Sequence, residues 1–174
     1  MLSPYGEFRL AESRLYTPEL CQIAQVIQWP IRIEVKETEI YRDLRFAQDL
    51  ALVARGQHYA AARVRNMDRH QVEWRKDVTI RSFANGAPTE LEKLNQGLVP
   101  YYLYCWARSL RIEQWICWDV TKAAAAGLFR PRVSSRFNGD GTGFVTVQTN
   151  DLERCGSVLA ASWDRPNQRQ SRVF

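Results

Sequence analysis

The sequence predicts an α/β domain in which helices cover a mixed β-sheet. The order of elements across residues 18–107 reads helix, three strands, helix, strand, and further runs of strand length follow. The chain has 174 residues, of which 45% are hydrophobic, and this is enough to bury the core of one ordinary domain. We therefore assign residues 1–163 to a single domain and residues 164–174 to a basic, flexible tail.

The first element is a helix. The segment "YTPELCQIAQVIQWP" has one apolar face, which predicts a helix over residues 18–29. Thr17 can cap this helix, Pro18 suits its first turn and Pro30 ends it.

Strands are expected next along the chain. The segment "IRIEVKETEIYRDLRFAQ" predicts a strand followed by a short helix. The segments "DLALVA" and "YAAARVR" flank a turn in which Gly56 can supply the positive φ that a hairpin requires, so we expect two adjacent antiparallel strands. Apolar residues at even spacing in "QVEWRKDVTIRS" predict a third strand, longer than the other two.

A second helix is expected over residues 89–97. Thr89 and Glu92 have the spacing of a capping box, and Gly97 stands where a helix usually ends. The remaining predicted elements are strands in "VPYYLYCWA" and "QWICWDV", a brief helix in "TKAAAAGL" closed by Gly127, and strands in "FVTVQT" and "SVLAASW".

Several classes of protein are disfavoured. The four cysteines form no C-x-x-C pair, so we expect neither structural zinc nor disulfides, and Cys105 and Cys117 lie in apolar runs that predict burial. No apolar run approaches the roughly 20 residues that span a bilayer, and the first residues lack the pattern of a signal peptide. We therefore expect a cytoplasmic location and no membrane partner. No glycine-rich phosphate loop is present, and His58 and His70 have no partner at the spacing of a catalytic triad.

The net charge is compatible with a polyanionic partner. The chain has 24 lysines and arginines against 19 aspartates and glutamates, which gives a formal charge of +5. Many basic proteins bind no nucleic acid, so the placement of the charges has to decide.

The stretch "QDLALVARGQHYAAARVRN", residues 48–66, carries an acid at the start of one hairpin strand and basic residues on the next. Together with the element order, this pattern resembles the PD-(D/E)XK nuclease superfamily. Asp49 then takes the position of the family's first acid, and Ala61-Ala62-Arg63 that of its acid-x-Lys triplet. Alternation along a strand places residues 61, 63 and 65 on one face, so Arg63 would point where the family's lysine points, with Arg65 beside it. The resemblance implies a restriction-endonuclease-like αβββαβ core over about residues 18–107, with extra C-terminal strands.

The resemblance also implies a metal site, because such enzymes hold Mg²⁺ or Mn²⁺ with carboxylates. Ala61 leaves the acid of the triplet missing. Glu90 or Glu92 can replace it, but only one of the two can face inward, and a capping role suits Glu92 better. The expected metal ligands are Asp49, Glu90 and Glu39, with Asp43 and Asp77 as further candidates.

The arginines have a different expected role. Arginine stays protonated, so Arg63 cannot act as a base, although it can clamp a phosphate. The resemblance makes Asp49, Arg63 and Glu90 the catalytic residues. Phosphate contacts are expected from Arg63, Arg65, Arg69, Arg75 and Arg81.

Two hypotheses follow. The first is a nucleic-acid-binding protein with a nuclease-like fold that acts as a metal-dependent DNA endonuclease. The second is a catalytically inactive binding or assembly module of a nucleoprotein or defence complex, and the missing acid favours it. DNA is expected rather than RNA, and a homodimer or a protein assembly is left open. Convergence of three carboxylates would separate the two hypotheses.

Overall fold

The computed structural model describes residues 15–27, 34–37, 50–53, 57–68, 77–83, 89–130, 136–137 and 143–164. The elements in chain order are α1 (Thr17–Val26), β1 (Glu34–Glu37), β2 (Leu50–Val53), β3 (Gln57–Asn66), β4 (Asp77–Phe83), α2 (Glu90–Asn95), β5 (Tyr101–Arg108), β6 (Arg111–Asp119), α3 (Val120–Ala125), β7 (Arg136–Phe137), β8 (Gly143–Gln148), α4 (Thr149–Arg154), β9 (Val158–Ala161) and a 3₁₀ turn (Ser162–Asp164).

The main sheet is mixed, as the sequence predicts. It has six strands in the order β1-β2-β3-β5-β6-β9. β3 and β5 run parallel, and the other described neighbours are antiparallel. A parallel pair needs a long crossover, which here contains β4 and α2. The predicted hairpin is confirmed: β2 pairs with β3, with Leu50 opposite Ala60 and Val53 opposite Gln57.

The third predicted strand lies elsewhere. β4 pairs with β8 in a separate three-stranded sheet of order β4-β8-β7, and residues 71–76 of the predicted strand lie outside the described ranges. The position beside β3 belongs to β5, whose residues from Tyr102 to Ala107 are all buried. A run that is apolar on both faces suits a central strand, whereas β4 carries polar side chains at Asp77 and Thr79.

Both faces of the main sheet are covered. On one face, α1 packs Leu20, Ile23 and Ala24 into a core that also contains Leu103 and Cys117. The opposite face packs against the second sheet and the short helices. Its core includes Leu91 and Leu94 of α2, Ala123 of α3, Leu152 of α4, and Val78, Ile80, Val145 and Val147 of the second sheet.

The helix termini match the sequence signals in part. Thr89 and Glu92 form the predicted capping box, and the hydrogen bonds from Thr89 lower the pKa of Glu92. Gly97 and Gly127 have φ of +68° and +75°, the left-handed conformation expected after a helix. The capping role predicted for Thr17 is wrong: it is the first helical residue, and the chain enters α1 through Tyr16 without a side-chain cap.

The predicted burial of Cys105 and Cys117 is confirmed. All four cysteines are free thiols, and Cys105 and Cys117 are fully buried. Burial raises the pKa of both thiols. Within the described ranges, no helix has the length and apolar character to cross a membrane. The turn at Gly56, the short helix expected before residue 48 and residues 165–174 of the tail lie outside those ranges.

Candidate functional site

The predicted site residues fall into two groups. Glu39, Asp43, Asp49, Arg69 and Arg75 lie outside the described residues. The structure places the others on three elements: Arg63 and Arg65 on β3, Asp77 and Arg81 on β4, and Glu90 and Glu92 at the start of α2.

Residues 61, 63 and 65 of β3 share one face, as predicted from strand alternation. Ala61 is buried in the core beneath the second sheet, whereas Ala60 is buried in the core beneath α1. Arg63 and Arg65 extend on the Ala61 side, where they meet α2 and β4. Position 61, where the resemblance would place an acid, is a packed core site, because Ala61 is only 2% exposed.

Arg63 forms an ion pair with Glu90. Arg63 Nη1 donates to Glu90 Oε2 at 2.5 Å. The backbone N–H of Arg81 donates to the same oxygen at 2.9 Å. The hydroxyl of Tyr102, on β5, donates to the other oxygen, Oε1. Both carboxylate oxygens of Glu90 thus accept hydrogen bonds, and one of the donors carries a full positive charge.

The start of α2 decides which glutamate turns inward. Glu92 closes the capping box, accepting the Thr89 N–H at 2.6 Å. Glu90 stands two residues earlier and points about 200° away around the helix, toward β3. The expectation that only one of the two can face inward is confirmed, and that residue is Glu90.

Burial strengthens the interactions around Glu90. The side chains of Arg63 and Glu90 are 29% and 17% exposed, and Tyr102 is fully buried. The charge of Glu90 raises the pKa of Arg63 further above its already high value. Burial, and then the same carboxylate, raise the pKa of Tyr102 well above its usual value. Near neutral pH the arginine is charged and the tyrosine keeps its proton, so both act as donors.

Arg65 meets an acid through a looser contact. Its Nη1 lies 3.7 Å from Asp77 Oδ1, which is too long for a direct hydrogen bond. Both atoms are buried and lack a hydrogen-bond partner in the described part of the chain. The indole nitrogen of Trp106, the residue opposite Arg65 on β5, is buried and unpaired in the same sense.

A third polar contact lies between these pairs. The hydroxyls of Thr79, on β4, and Tyr104, on β5, are 2.8 Å apart. The second sheet and α2 therefore meet the main sheet through a row of polar contacts. We call this row the polar seam; it consists of Arg63, Arg65, Asp77, Thr79, the Arg81 backbone, Glu90, Tyr102 and Tyr104.

Sequence reasoning missed the two tyrosines and Thr79. Tyr102 and Tyr104 alternate with Leu103 on β5, and β5 places them opposite Ala61 and Arg63. Polar aromatic residues at every second position of an apolar strand were the available signal, because a buried tyrosine hydroxyl needs a partner. The identity of those partners depends on contacts between distant parts of the chain.

The donors around Glu90 would compete with a divalent metal ion for this carboxylate. Each carboxylate oxygen has two lone pairs, and Oε2 already accepts two hydrogen bonds, so a magnesium ion at Oε2 would have to displace one of these donors. A cation beside Oε2 would also lie close to the positive charge of Arg63. Among the residues that the structure describes, no three His, Cys, Asp or Glu side chains converge as a metal site.

Comparison of the chain with family models, with curated proteins and with solved structures found no match.

Proposed function

We propose that this chain is a nucleic-acid-binding protein with a nuclease-like fold, which contacts DNA phosphates and does not cleave them. The observation that carries the proposal is the state of Arg63. This residue holds the position that the resemblance gives to the family's lysine, keeps 29% of its side chain exposed, and is paired with Glu90. A guanidinium at this position can bind a phosphate but cannot act as a base.

The order of elements supports the nuclease-like part of the proposal. With β4 in the second sheet, the elements that form or cross the main sheet from α1 to β5 read helix, three strands, helix, strand. The third strand of that order is β3, which carries Arg63, and the helix is α2, which carries Glu90. The two residues of the ion pair therefore lie on the third strand and the second helix of the αβββαβ order.

The packing around Ala61 supports the non-catalytic part. An acid at that position would have to enter an apolar core. The metal-dependent endonuclease is the alternative; it would need Asp49 and Glu39 as ligands, and Glu90 would have to leave Arg63. Arg63 also stays protonated and cannot act as a base. The apolar packing of Ala61 and the permanent charge of Arg63 both favour phosphate binding over catalysis.

The proposal is tested by DNA binding with Arg81→Gln. The Arg81 side chain is exposed next to Glu90, and the substitution keeps the backbone N–H that Glu90 accepts. Arg154→Gln on α4 is the matched control, because it removes the same charge from an exposed side chain outside the polar seam. Fluorescence anisotropy with a labelled duplex, measured over a range of salt concentrations, gives the affinity and its salt dependence.

We expect the wild type to bind at low salt and to weaken steeply as salt rises, because phosphate contacts release counterions. Arg81→Gln should bind more weakly than Arg154→Gln and should lower the slope of log affinity against log salt by about 1. No binding by the wild type at low salt would overturn the proposal. Cleavage of plasmid DNA by the wild type in Mg²⁺ or Mn²⁺ would overturn the proposal of non-catalytic binding and support the metal-dependent endonuclease.

A further inference from the structure

We propose that Glu90 occupies an oxyanion site made by Arg63 and the Arg81 backbone N–H, and that a DNA phosphate binds there by displacing the Glu90 carboxylate. The inference rests on the proposed function and specifies where the phosphate binds. It also makes Glu90 an internal competitor of DNA.

The geometry of the site is that of an anion cradle. Two donors from separate strands converge on one oxygen atom, Glu90 Oε2: Arg63 Nη1 at 2.5 Å and the Arg81 N–H at 2.9 Å. A guanidinium together with a backbone N–H is a combination that proteins use to bind phosphate oxygens. A phosphate oxygen at the position of Oε2 would accept from the same two donors.

The two oxygens of Glu90 differ in their surroundings. Oε1 faces the hydroxyl of Tyr102, which is fully buried. Oε2 faces Arg63, which keeps part of its side chain in solvent, and the hydrogen bond from the Arg81 N–H lies at the surface. The Arg81 side chain is also exposed and adds a second positive charge nearby. A bulky phosphodiester therefore has to reach only the position of Oε2, near the surface, and not the buried position of Oε1.

Glu90 can leave without unfolding α2. The start of this helix is held by the reciprocal bonds between Thr89 and Glu92, in which Glu90 takes no part. Rotation of the Glu90 side chain is then sufficient to expose the two donors. The charge of Arg63 stays paired throughout the exchange, because one anion replaces another; an exchange avoids the large cost of leaving a partly buried charge alone.

The inference predicts that removing the charge of Glu90 strengthens DNA binding. Glu90→Gln keeps the size of the side chain but weakens its hold on Arg63. Glu113→Gln is the matched control, because it removes one negative charge from an exposed residue of β6 outside the polar seam. Both variants shift the net charge equally, so a difference between them reports the site itself rather than the overall field.

In duplex-DNA anisotropy at fixed salt, we expect Glu90→Gln to bind roughly tenfold more tightly than Glu113→Gln, since the competitor loses its charge and its hydrogen bonds to Arg63 and the Arg81 N–H become weaker. Adding Arg63→Gln to Glu90→Gln should abolish the gain. Equal affinities of Glu90→Gln and Glu113→Gln, with the wild type still binding DNA, would overturn this inference and leave the proposed function in place. Absence of DNA binding by all the proteins at low salt would overturn both.

A measurement on the wild type guards against misfolding of Glu90→Gln. The guanidinium signals of Arg63 can be followed by NMR in ¹⁵N-arginine-labelled protein and assigned by their loss in Arg63→Lys. Exchange of Glu90 for a phosphate should shift these signals as DNA is added, whereas the guanidinium of the control residue Arg154 should shift less. Unchanged Arg63 signals at saturating DNA would show that Glu90 keeps its place and would overturn the inference.

Discussion

Tyr102 is fully buried, and its hydroxyl donates to a carboxylate rather than to a neutral group. Its neighbour Tyr104 is equally buried, but within the described ranges its hydroxyl bonds to the neutral hydroxyl of Thr79. The two side chains extend from the same strand with ring centroids 6.5 Å apart. The pair therefore offers a direct comparison between a charge-assisted and a neutral hydrogen bond in one environment.

We expect Tyr102→Phe to lower the free energy of unfolding by about 2 kcal/mol and Tyr104→Phe by about 1 kcal/mol. Each substitution keeps the ring and removes only the hydroxyl. The larger loss at Tyr102 arises because Glu90 keeps its charge but loses a donor. Urea denaturation followed by circular dichroism measures both values. A loss at Tyr104 equal to or larger than that at Tyr102 would contradict the charge-assisted role.

At the scale of elements, the hairpin of β5 and β6 has a turn that its sequence does not favour. Arg108 lies opposite Arg111, which leaves Ser109 and Leu110 as the two turn residues. Their φ angles are +48° and +59°. Two successive positive φ values define the type I′ geometry, in which Asn-Gly is the preferred pair. Leu110 also leaves 60% of its surface exposed, so it gains little from burial.

Replacing Ser109-Leu110 by Asn-Gly should stabilise the protein by about 1 kcal/mol. The left-handed conformation costs a residue such as leucine about 1–2 kcal/mol, and the extra backbone entropy of glycine offsets part of the gain. The hydrogen bond from the Ser109 N–H to Asp68 Oδ2 uses the backbone and should remain. Thermal unfolding of the variant beside the wild type checks the sign; a lower melting temperature would mean that the turn adopts another geometry in solution.

Local sequence signals predicted some elements and missed others for a physical reason. The β2–β3 hairpin and α2 were predicted because alternation and a capping box are patterns within a few residues. Helix α4, Thr149–Arg154, was not predicted, because six residues are too few for helical periodicity to show. The type I′ turn was also missed, since Ser-Leu carries none of the residues that usually mark it.

At the scale of the whole molecule, the arrangement of the sheets was beyond local reasoning. The alternation in β4 predicts a strand, but its partner residues in β8 lie between 60 (Phe83 to Gly143) and 71 (Asp77 to Gln148) positions further along the chain. The candidate site has the same limit. Arg63 and Glu90 were both named from the sequence, yet their ion pair joins residues 27 apart, and nothing local indicated that they bind each other. Contacts between residues far apart in the chain determine both which strand pairs with β4 and which side chain pairs with Arg63.

The two sheets are joined at Arg65 and Asp77 by a contact that gains little. The ions are 3.7 Å apart, their facing atoms are buried, and neither has a hydrogen bond in the described part of the chain. Desolvation of two such charges is offset only when the geometry is good and the remaining hydrogen bonds are satisfied. The contact should therefore be replaceable by apolar side chains of similar length.

We expect Arg65→Met alone to lower the free energy of unfolding by about 3 kcal/mol, because it leaves the Asp77 carboxylate partly buried without a partner. Asp77→Leu alone should cost a similar amount for the complementary reason. The double variant should cost less than either single variant, because no unpaired charge remains and the Met and Leu side chains can extend the core around Trp106, which lies opposite residue 65. A double-mutant cycle in urea measures the coupling between the two sites. Additive losses would show that the two side chains stabilise the protein independently of each other. A double variant less stable than either single variant would show that the contact between Arg65 and Asp77 is not replaceable by apolar side chains.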